Sequence, residues 1–140
     1  MSELIQDNEV NIDRLESIFK SEYYNTGHDI DGYLTVFAEG AQIFVSVDSD
    51  RKFIGFTAVW RLKESAKEID KLRFANQLNS SYVFLRYFVP APNLLRADYD
   101  LPFEGGIMPH FIVRMLRLFF RLYSVPLLED KVGVLGWKDN

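Results

Sequence analysis

The chain has 140 residues, the size of one ordinary domain, of which 48% are apolar and 26% charged. Aromatics reach 15%, which excludes disorder and low-complexity repeats, and the lack of cysteine excludes disulfides, thiolate metal sites and a cysteine nucleophile. The net charge of −4 speaks against a dedicated nucleic-acid binder, and it conceals −9 over residues 1–50, +6 over 51–97 and −1 over 98–140.

The first ten residues are acidic and carry neither the basic nor the apolar region of a secretory signal. No stretch approaches the roughly 20 apolar residues of a membrane span; Phe111–Tyr123 comes nearest and is broken by Arg114, Arg117 and Arg121. These features place the chain in the cytoplasm.

Ile12, Leu15, Ile18, Phe19 and Tyr23 recur at helical spacing, so residues 11–25 read as an amphipathic helix. Asn11 is its N-cap, Val10 staples against Leu15, and Gly27 supplies a left-handed C-cap. Three strands follow. Tyr33–Ala38 and Gln42–Asp48 alternate apolar and polar residues around a Glu39-Gly40 hairpin turn. Phe53–Leu62 places Ile54, Phe56, Ala58, Trp60 and Leu62 on one face.

Ser65-Ala-Lys-Glu68 has the form of a capping box, opening a helix to about Asn79 with Ile69, Leu72, Ala75 and Leu78 inward. Tyr82–Val89 and Leu94–Leu101 read as a hairpin. An even register with Pro90 opposite Leu94 matches their apolar faces and sets Arg86 opposite Asp98. Tyr82, Phe84, Phe88, Arg86, Arg96, Asp98 and Asp100 then share the other face. Pro109 suits the first turn of a last helix from about Met108 to Tyr123. The tail 125–140 holds Val132, Val134, Leu135 and Trp137, too apolar to sit idle. The fold class is α+β in the order αβββαββα: one domain over 1–140, a five-stranded antiparallel sheet with helices packed on it.

The last helix is apolar over about twice the arc of roughly 100° that one sheet covers. Phe111, Met115, Phe119 and Leu122 are therefore candidates for contact with a partner, as are Tyr82, Phe84, Phe88 and Trp137. The tail or the first helix is the plainer cover. His110, Arg114, Arg117 and Arg121 fall in an arc of about 60° and form a candidate stripe for an acidic partner, unless they pair with the acidic first third of the chain. Gly105-Gly106 lacks the spacing of a phosphate loop. Asp29, Asp31, Asp48 and Asp50 lack that of an EF-hand, and His28 and His110 do not form a zinc pair. No nucleophile elbow, zincin or kinase pattern is present. The reading is of a chain with no catalytic residues, cofactor or metal.

Asn76-Gln-Leu-Asn79, Arg86, Leu94, Asp98-Tyr-Asp-Leu101 and Gly105-Gly-Ile107 before an apolar helix, with Asp31-Gly32 and the meander upstream, resemble the YbjN family over residues 9–124. Its members are described as bacterial sensory-transduction regulators with no established enzymatic activity. In element order the family is similar to the dimeric type III secretion chaperones. The resemblance implies a protein-binding regulator acting as a dimer. It leaves a secretion-type chaperone holding an extended client as one alternative and an RNA or anion binder as another. It offers no catalytic residues. The paired Asn76 and Asn79 read as helix C-caps or as donors into the next strand. The tail after Tyr123 lies outside the pattern.

Overall fold

Asn11 begins the first helix as its residue type requires, its Oδ1 accepting the Arg14 amide at 2.8 Å. The computed structural model describes residues 3–136, so Trp137 lies outside the described residues. The chain forms two compact units, Met1–Phe56 with Asp100–Leu122, and Thr57–Tyr99 with Tyr123–Asn140. An antiparallel sheet of six strands runs in the order β1-β2-β3-β4-β6-β5.

In the first unit, α1 (Ile12–Ser21) buries Leu15 and Phe19. It stops four residues short of the expected end, because Tyr23 takes the left-handed turn at φ 70°. Gly27 is therefore no C-cap. Asn25–His28 forms instead a strand, β1, absent from the sequence reading. It pairs with β2 (Leu34–Ala38), Asn25 opposite Phe37 and His28 opposite Leu34. Glu16 of α1 holds it from the helix side, accepting from Thr26 Oγ1 at 2.7 Å and meeting His28 Nε2 at 2.9 Å.

β2 turns into β3 (Ala41–Asp48) through Glu39 and Gly40, both at positive φ (51° and 83°) as a two-residue primed turn demands. Asp48 then collects the amides of Asp50 and Arg51 before β4 (Phe53–Arg61). Leu34, Val36, Ile43, Val45, Ile54 and Phe56 are all buried. Against this core lies α3 (Pro109–Leu122), which begins at Pro109 as expected and buries Ile112, Val113, Leu116 and Phe119.

In the second unit, α2 (Glu68–Ser81) has Lys67 at its N-cap position with no side-chain cap. The Ser65–Glu68 capping box does not form. The Ala66 amide closes a turn on the Lys63 carbonyl, and the helix starts only where the Lys67 carbonyl receives Asp70 and Lys71. Its inner stripe is Lys71, Phe74, Ala75 and Leu78, whereas Ile69 and Leu72 are exposed. Lys71 buries its stem and satisfies its ammonium on the Pro92 carbonyl at 2.6 Å and Asn93 Oδ1 at 3.1 Å.

β5 (Arg86–Ala91) and β6 (Leu94–Pro102) pair with Arg86 opposite Asp98, as expected. The loop differs. A bulge between Phe88 and Ala91 shifts the register, so Ala91, and not Pro90, faces Leu94 across Pro92-Asn93. Residues 125–136 of the tail pack within this unit. After α4 (Val125–Glu129), Leu135 bridges to Leu62, and Val134 and Leu135 are buried.

Candidate functional site

On α3 the expected partner face divides. Phe119 is fully buried with its ring 6.4 Å from that of Phe56, so it is a core residue and not a contact. Phe111 stays exposed, and Met115 and Leu122 are half-buried. Phe120 is covered from within the unit by Tyr24, their rings stacked at 5.7 Å. The first helix's end thus supplies part of the cover. Along the cationic stripe, Arg117 is bound to Glu22 of the acidic first third at 2.8 Å, while His110, Arg114 and Arg121 are exposed.

The other candidate face is built on the β5–β6 hairpin. Asp98 is buried, its side chain 9% exposed, and its carboxylate accepts Thr57 Oγ1 at 2.9 Å, Arg96 Nε at 2.8 Å and Arg86 Nη2 at 3.0 Å. Desolvating a carboxylate is costly, and these three charge-assisted or hydroxyl bonds offset that cost. Both guanidinium groups also lie over the Phe88 ring, Arg86 at 5.7 Å and Arg96 at 5.5 Å from its centroid. Two long side chains, 63% and 40% exposed, are thereby held in fixed positions around an aromatic ring.

Tyr82 and Phe84 do not join this face as strand residues. Tyr82 donates its hydroxyl to Glu129 at 2.8 Å, tying down the tail. Phe84 precedes β5 at φ 84° and stacks on Tyr99 at 4.3 Å. The alternation that grouped Tyr82, Phe84 and Phe88 fails because extended backbone begins only at Arg86.

Three residues of this region carry more than their types announce. Asp98 was legible as the partner of Arg86, but its hold on Arg96 and Thr57 depends on which strands lie side by side. Asn79 reaches β5, accepting the Tyr87 amide and donating to the Tyr87 carbonyl, each at 2.8 Å. The donor reading of this asparagine describes it better than the cap reading. Burial pushes the Tyr87 hydroxyl up to about 12, with Tyr82 adding to it, and burial likewise raises Tyr123. Tyr82 is raised chiefly by its bond to Glu129. All three move away from the neutral range where a tyrosine would transfer protons readily.

Among the described residues no group of three or more His, Cys, Asp or Glu side chains is placed to hold a metal ion. No helix among them is long and apolar enough to cross a membrane. An open depression in the second unit is bordered by Arg61, Lys63, Glu64, Ser65 and Asn93.

Comparison with known proteins bears on this geometry. The YbjN family, described as "Putative bacterial sensory transduction regulator", matches residues 11–124. The fold is similar to that in the "Crystal structure of YbjN, a putative transcription regulator from E. coli", with a TM-score of 0.75 and 14% identity. That match covers 91% of this chain and 97% of the other. No curated protein matches the chain.

Proposed function

We propose that this chain, which belongs to the YbjN family, is a protein-binding regulator with no catalytic step of its own, working in the cytoplasm as a dimer. The observation that carries this reading is the hairpin face on which buried Asp98 fixes Arg86 and Arg96 over Phe88. Arginine and aromatic side chains held rigid before binding are the usual anchors of protein interfaces, because little rotamer entropy remains to be lost. The Arg96 amino groups, beyond the Nε that Asp98 uses, suit a carboxylate on the partner.

The experiment is affinity capture from the native host with wild type beside Arg96→Glu, Phe88→Ala and Arg114→Glu chains. The reading expects one partner lost with the first two variants and kept with the third. Loss only with Arg114→Glu moves the working surface to α3. A single dominant client that elutes as an unfolded segment points to a secretion-type chaperone instead. Capture of RNA with steep salt dependence would replace the protein-partner reading altogether.

A further inference from the structure

The open depression of the second unit gathers cations that the hairpin face does not use. Residues 51–97 carry a balance of +6, and of their arginines Arg86 and Arg96 are held by Asp98. Arg61 and Lys63, both exposed on the border of the depression, have no ion pair or side-chain hydrogen bond among the described residues.

Three lengths of backbone wall the depression and are tied to one another. The Leu62 amide donates to the Asn93 carbonyl at 2.9 Å, the Lys63 amide to the Val134 carbonyl at 2.8 Å, and the Gly136 amide to the Arg61 carbonyl at 2.8 Å. A Cβ at Gly136 would lie 3.3 Å from Arg61 Cγ, so glycine lets the tail lie against the arginine stem. The Lys63 ammonium is beside the tail turn, 3.8 Å from where a Gly133 Cβ would be. Asn93 links these groups to a third cation. Lys71 is 4% exposed, and its ammonium donates to the Pro92 carbonyl and to Asn93 Oδ1. No carboxylate among the described residues pairs with it, so the charge is buried without a counter-ion. That bond takes the acceptor end of the Asn93 amide and leaves Nδ2 as a donor, on a residue that borders the depression. Three cations thus stand at or behind the depression against one acid on its border, Glu64. Asp130, which approaches Lys63 through Gly133, has its oxygens on three tail amides.

We propose that this depression binds a small phosphate ester of a hydroxylated compound. A phosphate monoester carries about −1.5 to −2 charge at neutral pH and three strong acceptor oxygens. Arg61, Lys63 and Asn93 Nδ2 offer it donors from separate segments, with the buried Lys71 charge behind Asn93. A carboxylate, with one charge and two oxygens, reaches fewer of them. The volume is about 810 Å³, within the roughly 300–1,000 Å³ of small-molecule sites, and leaves room beyond the phosphate. Ser65 and Glu64 suit hydroxyl groups there, the serine donating or accepting and the carboxylate accepting. No aromatic ring among the described residues borders the depression, which sets aside a nucleobase that binds by stacking.

The test is an amide NMR titration of the full chain at fixed ionic strength, with glucose 6-phosphate as the probe and glucose and citrate beside it. The sugar phosphate is expected to shift the amides of Lys63, Ser65, Asn93 and Gly136, citrate to shift them more weakly and glucose not at all. Arg61→Gln and Lys63→Gln each weaken the affinity about tenfold, the loss of one charge-assisted hydrogen bond. Both side chains are exposed, and amide spectra unchanged away from the depression establish that the variants are folded. Asn93→Asp keeps the bond to Lys71 but presents a carboxylate to the phosphate, so binding is lost. Arg114→Gln, on α3, leaves the affinity unchanged. The absence of shifts at about 10 mM probe overturns the proposal. So does a loss with Arg114→Gln equal to that with Arg61→Gln, which marks general attraction of anions to surface cations. Citrate binding as tightly as the sugar phosphate overturns the phosphate assignment.

Discussion

Asn79 does for β5 what a neighbouring strand would do, and the energetics follow from that. Asn79→Ala removes two hydrogen bonds to Tyr87 and is expected to cost about 1–3 kcal/mol in urea unfolding. Asn79→Asp keeps the acceptor but sets a carboxylate against the Tyr87 carbonyl, so it costs at least as much. Glu16 makes a second prediction. Hydrogen bonds from Thr26 and then His28 hold its carboxyl below the usual 4.5, with burial opposing and Lys20 adding attraction. Its folded value being the lower one, the stability it contributes is complete above about 4.5 and is lost as pH falls through the folded value. Urea midpoints measured from about pH 5 down to about pH 3 should therefore fall more steeply for wild type than for Glu16→Gln. Residues of this kind are half legible in sequence. An asparagine pair before a strand announces a polar job, but Lys71 reads as solvent-facing until the Pro92 carbonyl appears beneath it.

Among the elements, those that carry their own signal are the ones the sequence predicts well. β2, β3 and β4 alternate cleanly, and their ends fall within a residue or so of the expected positions. Glu39-Gly40 turns as read, and its first position still holds a residue that tolerates positive φ poorly. Glu39→Asn should therefore raise stability by about 0.5–1 kcal/mol, seen as a higher urea midpoint with unchanged slope. β1 carries no such signal: it is short, has no apolar alternation, and owes its form to β2 and to the Glu16 carboxylate. The α3 face shows the opposite error. Periodicity places Phe111, Phe119 and Phe120 together on an over-wide apolar arc but cannot say which side meets the core. Phe119→Asp places a carboxylate beside Phe56 in a fully buried position and should unfold the first unit, whereas Phe111→Asp leaves the melting temperature nearly unchanged.

At the scale of the whole molecule, the family pattern and the needs of this chain part at the tail. The family match ends at residue 124, yet Val125, Pro126, Val134 and Leu135 are buried beyond it. The backbone there is committed as well. Lys63 donates its amide to the Val134 carbonyl, and the Asp130 carboxylate gathers the amides of Gly133, Val134 and Leu135, each at 2.9 Å. Tyr82 reaches Glu129 from the other direction. Four buried apolar side chains at about 1–2 kcal/mol each contribute several kcal/mol, an appreciable part of the roughly 5–15 kcal/mol that holds a domain of this size together. A chain ending at Ser124 is thus expected to lose about 4–8 kcal/mol in urea unfolding, with hydrogen exchange accelerating first over α2 and β5. Equal stability with and without residues 125–140 would reduce the tail to an appendage. The excess of aromatics then has its physical account: Trp60 packs against Tyr123 and Tyr87, Tyr82 binds the tail, and Phe84 lies on Tyr99. In the second unit Trp60 and Tyr87 are buried, Tyr82 fastens the tail, and Phe88 is half-buried beneath its two arginines.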